Sequence, residues 1–139
     1  MAGYSGTPLV KKLGIKSGFN IAFVNAPRDY ANELDLPPEV SINSLPAKPL
    51  DFAQLFVKSE AELKTKFSVY AKRLKASGML WVSWPKKSSG VSTDLSDNLV
   101  REIGLAAGLV DVKVCAVDEV WSGLKFVIRL KDRAKVNPR

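Results

Sequence analysis

Lys86, Lys87, Ser88 and Ser89 stand side by side, directly after a proline that ends a strongly apolar run. Two ammonium groups, two hydroxyls and the backbone N–H groups near Gly90 are the equipment of an anion site, suited to a phosphate or a carboxylate. Asn25 and Arg28, which follow an earlier apolar segment, are candidate neighbours of that loop. The spacing completes no phosphate-binding motif, and a solvated lysine pair is the plainer reading of the same residues. The remaining inventory excludes more chemistry than it offers. The chain has no histidine, which removes the commonest general base, the usual catalytic triads and most zinc sites. Its single cysteine, Cys115, cannot form an intramolecular disulfide and lies in an apolar stretch where a buried thiol is expected. With no histidine beside it, nothing obvious activates that thiol. No catalytic residue, metal ligand or cofactor is predicted.

The loop needs a frame. Residues 79–84 are apolar except for Ser83 and are bounded by Gly78 and Pro85. A half-buried strand would alternate apolar with polar, so this run suits a strand covered on both faces, as in a parallel sheet flanked by helices. Proline ends it because it has no N–H for the ladder. The Trp84-Pro85 bond is cis or trans. In open α/β sheets, ligands bind beyond the carboxyl ends of the strands, which is where Lys86–Ser89 would fall.

Before that strand, Thr7 reads as an N-cap with Pro8 at the first helical position, and Gly14 suits the left-handed residue past the end. Residues 19–24 read as a strand, 28–36 as a short helix stopped by Pro37-Pro38, 40–45 as a weak strand, and 52–57 as a stronger one opening at Asp51. The clearest helix starts at Ser59, which has capping-box spacing to Glu62. Leu63, Phe67, Tyr70 and Leu74 share one of its faces. Glu60–Lys64 and Glu62–Lys66 are i,i+4 pairs. Lys72, Arg73 and Lys75 oppose the dipole in its last turn, and Ser77-Gly78 close it. Another helix starts at Thr93 or Asp94, has Leu95, Leu99, Ile103 and Ala107 on one face, and ends at Gly108. Residues 111–120 and 124–130 then read as paired antiparallel strands, with Ser122-Gly123 as their tight turn.

At 139 residues the chain suits one domain, residues 1–133, followed by a basic tail, 134–139. No apolar run approaches the roughly 18 residues of a membrane span, and the first residues lack a signal-peptide layout. With the lone cysteine, this gives the expectation of a cytoplasmic protein. The net charge of +7 permits acidic partners but is spread along the chain, densest in the tail.

The order strand, long helix, apolar strand, helix, C-terminal hairpin resembles the second half of class I S-adenosylmethionine-dependent methyltransferases. LGIKSGFNIAFVNAP resembles their first strand, LDFAQLFV a later one, and LKASGMLWVSW the strand after it. The whole chain also resembles a bacterial domain-of-unknown-function family, on GYSGTPLVKKLGIK, LDFAQLFV, GMLWVSWPKK and GLVDVKVCAVDEVWSGLKFVIRLKDR. These resemblances imply an α/β fold: a truncated Rossmann-like, methyltransferase-like, mostly parallel sheet with helices on both faces and a C-terminal antiparallel β-hairpin. Two departures matter. Methyltransferases follow the first strand with a glycine-rich loop, and this chain reads VNAPRDYAN there. They close the second strand with an acidic residue for the ribose hydroxyls, and this chain reads VSINSLP. The expected sheet is therefore truncated and the cofactor pocket damaged or missing. The connection before residues 52–57 is too short for a parallel crossover, so the 40–45 strand is expected to be antiparallel, very short or absent.

Three functions compete. The first is a non-catalytic Rossmann-like binding module for a small anion, a nucleotide or a protein partner. The second is a reduced S-adenosylmethionine-dependent methyltransferase. The third is nucleic-acid binding through the spread of charge and through Trp84 or Trp121, if exposed. Homodimerisation through an open sheet edge is a further expectation.

Overall fold

The computed structural model describes residues 7–43 and 48–136. Within them six strands form one sheet: β1 (Asn20–Val24), β2 (Ser41–Ile42), β3 (Leu50–Phe56), β4 (Leu74–Pro85), β5 (Leu109–Ala116) and β6 (Trp121–Ile128). Their spatial order is β2-β1-β3-β4-β6-β5. The first four are parallel, and β6 and β5 are antiparallel additions. Among the described residues four α-helices cover the sheet: α1 (Leu9–Leu13), α2 (Tyr30–Glu33), α3 (Glu60–Ala71) and α4 (Asp97–Ala106).

Every residue of β3 is buried, and so is the second half of β4. Their apolar runs follow from coverage on both faces. One face packs Ala53, Leu55, Leu80, Val82 and Trp84 against Leu63 and Phe67 of α3 and Val100 and Ile103 of α4. The other packs Phe52, Phe56, Met79 and Trp81 against Val10 and Leu13 of α1 and Tyr30 of α2. Trp81 is fully buried and donates from Nε1 to the Leu13 carbonyl at 2.9 Å, so the end of α1 is tied to the centre of the sheet. Among the described residues no helix is long and apolar enough to cross a membrane.

Tertiary pairing moved several boundaries. Pro8, not Thr7, occupies the N-cap of α1, and left-handed Gly14 ends that helix as expected. The 28–36 helix shrinks to α2, because Asp29 and Asp35 adopt left-handed backbone on either side of it. The weak 40–45 strand is only Ser41–Ile42, and it is parallel to β1. Ser44, Leu45 and Pro46 lie outside the described residues. A parallel β2 is compatible with the short connection because β2 is not the neighbour of β3; β1 lies between them.

Helix α3 ends at Ala71, so Ser77-Gly78 do not close it. Leu74 already pairs with Leu50, and Lys75 reaches Asp51 Oδ1 at 3.1 Å. Gly78 instead lies within β4, where a Cβ would come 2.7 Å from the Leu50 carbonyl oxygen. Helix α4 begins later than expected, with Ser96 as the N-cap accepting from the Leu99 N–H. The β5–β6 turn falls at residues 117–120 rather than Ser122-Gly123, because Asp118 Oδ1 accepts from the N–H groups of Val120 and Trp121, each at 2.8 Å. Ser122 and Gly123 are ladder residues of β6. Leu124, Phe126 and Ile128 are buried as their alternation requires, but Leu130 is 79% exposed at the start of a 3-10 segment, Leu130–Lys135. Val136 after that segment packs on the core. The Trp84-Pro85 bond is trans.

Candidate functional site

The chain leaves β1 for β2 on one side, then returns to β3 on the other. Strand order therefore reverses between β1 and β3, and the carboxyl ends of such strands diverge around a crevice. A cavity of about 490 Å³ lies there, lined by Asn25, Pro27, Phe56, Lys58, Glu62 and Trp121.

Each lining residue is held by local chemistry. Asn25 follows β1 at φ 58°, in the left-handed region, and Asp29 sits there too at φ 63°. Asparagine and aspartate tolerate this backbone better than other non-glycine residues. Asn25 Nδ2 donates to Glu62 Oε2 at 3.1 Å. Glu62 Oε1 accepts from the Lys58 N–H, also at 3.1 Å, while its backbone N–H donates to the Ser59 hydroxyl. The capping box is thus displaced by one residue, and Glu62 turns to the crevice rather than pairing with Lys66. Glu60–Lys64 does form, at 2.8 Å. The Lys58 carbonyl accepts from the Thr93 hydroxyl at 2.6 Å, and Asp94 Oδ1 accepts from the Glu60 N–H at 2.8 Å. Thr93 and Asp94, expected to begin α4, instead brace the start of α3.

The wall of the crevice is aromatic. Tyr30, Phe56 and Trp121 meet edge to face in series, with centroids 4.9 and 5.1 Å apart. Trp121 is half-buried. Beneath it runs a buried polar chain: the Tyr30 hydroxyl donates to Gln54 Oε1 at 2.9 Å, and Gln54 Nε2 donates to Ser83 Oγ at 3.0 Å. Burial pushes the Tyr30 phenol well above its usual range, so it stays protonated. The crevice therefore offers an apolar aromatic surface, one carboxylate and one ammonium group. It suits a ring-bearing polar ligand, and without histidine it offers no ready proton shuttle.

Of the residues singled out from sequence, Asn25 lines this crevice. Lys86 adjoins it: its N–H donates to the Val120 carbonyl at 2.7 Å, one residue before Trp121. Lys87–Ser89 form a single 3-10 turn beyond the carboxyl end of β4. Ser89 is spent within that turn, since its hydroxyl donates to the Lys86 carbonyl and accepts from the Val91 N–H. Lys87, Ser88 and Arg28 are exposed, and none of them lines the crevice. Sequence reading missed Pro27, Phe56, Lys58 and Glu62, and it named Trp121 only as an exposed aromatic for nucleic acid. The signal for Glu62 was present: a capping-box acid immediately after a buried strand stands at a strand's carboxyl end. Trp84 is buried, so of the two tryptophans proposed for exposed contacts only Trp121 reaches a surface. Cys115 is buried, as expected. Burial raises its pKa, opposed by the charges of Lys12, Lys113 and Lys86. Among the described residues no acidic, histidine or cysteine cluster could hold a metal ion.

The fold is that of class I S-adenosylmethionine-dependent methyltransferases. A methyltransferase of this class from Aquifex aeolicus superposes with a TM-score of 0.58 at 15% identity, covering 87% of this chain and 88% of its own. The precorrin-6y C5,15-methyltransferase of Geobacter metallireducens gives 0.57 at 10% identity, covering 87% and 86%. A putative methyltransferase from Thermoplasma acidophilum gives 0.57 at 9%, covering 89% and 75%. Similarity at this level of identity establishes the architecture alone. No protein-family model and no curated protein matches the chain in sequence, so the resemblance to a bacterial family of uncharacterised proteins stays an expectation.

The residues present do not fit S-adenosylmethionine in the manner the resemblance implies. The loop after β1 has the left-handed backbone but carries side chains, and that of Asn25 reaches across to Glu62. At the end of β2 stands Asn43, not a carboxylate, and its Nδ2 is turned to Asn20 Oδ1 at 3.1 Å.

Proposed function

We propose that the chain is a binding module for a nucleotide, taken at the crevice between the carboxyl ends of β1 and β3. One observation carries this reading: at the point where strand order reverses, the crevice joins an aromatic wall, Phe56 and Trp121, to Lys58 and Glu62. A base stacks on the aromatic wall. Glu62 accepts from the sugar hydroxyls. Lys58, with the neighbouring Lys86–Ser89 turn, faces the phosphates. The missing histidine and the poor fit to S-adenosylmethionine support binding without methyl transfer.

Tryptophan fluorescence tests it. Trp81 and Trp84 are 0% and 4% exposed, so quenching by a ligand reports Trp121. ATP is expected to quench saturably. Glu62→Gln and Lys58→Ala are each expected to weaken binding about tenfold, as for loss of one hydrogen bond to a charged group. Lys86→Ala/Lys87→Ala is expected to weaken ATP but not adenosine. No saturable response to ATP, ADP or adenosine at millimolar concentration would overturn the proposal.

A second reading, the reduced methyltransferase, is favoured by the left-handed backbone at Asn25 and Asp29, a conformation glycine adopts readily. A response confined to S-adenosylmethionine and S-adenosylhomocysteine would favour it.

A further inference from the structure

A second set of charges lies away from the crevice, on the sheet face that carries α1. Lys113 of β5 and Lys125 of β6 are direct cross-strand partners. Lys125 is also paired with Trp81 of β4, whose ring lies under α1. Like charges placed opposite each other in a ladder destabilise it. Two features hold this pair in place nonetheless. Lys113 Nζ donates to the Lys12 carbonyl at 3.0 Å, so it caps the C-terminal end of α1 with one of its three N–H groups. Lys125 Nζ lies beside Gly14, 3.9 Å from where a Cβ would be. Lys16, two residues further on, is exposed.

Burial first, then the charges of Lys113 and Lys16, lower the Lys125 pKa. The ion pairs among the described residues use Lys64, Lys75, Arg101 and Lys135, and none uses Lys16, Lys113 or Lys125.

We propose that Lys16, Lys113 and Lys125 form a docking surface for a nucleic acid, engaging its phosphodiester backbone. Lysine binds phosphate as a point charge. The cluster has no arginine fork and no exposed aromatic anchor, the residues that dominate protein–protein hot spots. A surface built of ammonium groups alone fits sequence-independent backbone binding. The net charge of +7 would steer the strand toward it. This surface uses none of the crevice residues and does not depend on the nucleotide proposal.

The test is fluorescence anisotropy with a labelled oligouridine of about 12 nucleotides, a length within the usual single-strand site size. Affinity is measured between about 50 and 200 mM salt, where counterion release dominates. Lys113→Ala/Lys125→Ala is expected to weaken binding at least tenfold and to flatten the log–log salt slope by about 1.4, about 0.7 for each phosphate no longer neutralised. Lys64→Ala/Lys66→Ala on α3 removes the same charge elsewhere and is expected to leave affinity within about threefold. Thermal unfolding accompanies each variant. If the alanine pair fails to fold, Lys113→Gln/Lys125→Gln replaces it, with the same weakening and slope change expected. Equal losses in the α3 control would mean that only net charge matters and would overturn the assignment. So would absent binding at low salt, or displacement by inorganic tripolyphosphate at the same phosphate concentration as the strand, which would mark a site for free polyphosphate.

Discussion

Tyr30, Gln54 and Ser83 show what single side chains contribute. Gln54 and Ser83 are 0% exposed, and each polar group in the chain finds a partner. In Tyr30→Phe the ring still fills its place, but Gln54 Oε1 loses its donor. A buried acceptor left unpaired costs about 1–3 kcal/mol, and urea unfolding at pH 7 is expected to show a loss in that range. The same residue sets an alkaline effect. Burial raises the folded pKa of Tyr30 above its ordinary 10.0. As pH rises through 10, the unfolded tyrosine loses its proton while the folded one keeps it. The unfolded state then binds fewer protons, and stability falls with rising pH. Its contribution is fully present below pH 10, and Tyr30→Phe is expected to show a shallower decline above that pH. Equal declines in both proteins would refute the role. Of this network, sequence showed only that Ser83 interrupts an apolar run. Its partners lie 24 and 29 positions apart in the chain, and local periodicity carries no information about them.

At the scale of elements, α4 and β6 meet through one small residue. A Cβ on Gly104 would lie 2.5 Å from Phe126 Cζ and closer still to Cε2. Alanine is the better helix former by about 1 kcal/mol. The overlap with a fully buried ring costs more, since overpacking a core typically costs about 1–3 kcal/mol. Gly104→Ala is therefore expected to lower the urea midpoint, whereas a raised midpoint would show that α4 can shift freely. Ser59 and Ser96 cap their helices through side-chain oxygens. Only the first was read correctly, because Thr93, Asp94 and Ser96 are all competent caps and only packing chose among them. Similarly, Ser122-Gly123 has the composition of a turn, yet Asp118 makes the turn and Gly123 lies under Trp81.

At the scale of the molecule, six strands place two distinct sets of groups. The crevice gathers residues from the loops after β1 and β3, and from β3, α3 and β6, at the strand ends. The lysine surface lies on the α1 face of β5 and β6. Lys113→Ala/Lys125→Ala is expected to leave nucleotide quenching of Trp121 unchanged, and Glu62→Gln to leave oligonucleotide affinity unchanged. Coupling of more than about 0.5 kcal/mol between the two changes, measured as a double-mutant cycle, would show that the sites act as one. The fold is shared with methyltransferases at 15% identity or less, because many sequences satisfy the same pattern of covered strands and crossover helices.

By itself the sequence determined the class of fold, the buried central strands, the long capped helix and the C-terminal antiparallel pair. Each of these is written in local periodicity and punctuation. Through its lack of histidine it also limited the chemistry. Tertiary structure decided the rest. It made β2 parallel, ended α3 at Ala71 rather than at Gly78, and drew Glu62 from a helix cap into a crevice. It also set Lys113 against Lys125. The physical reason is common to all four. Such pairings depend on which strands lie side by side and which faces are covered, and those contacts join residues far apart in the chain.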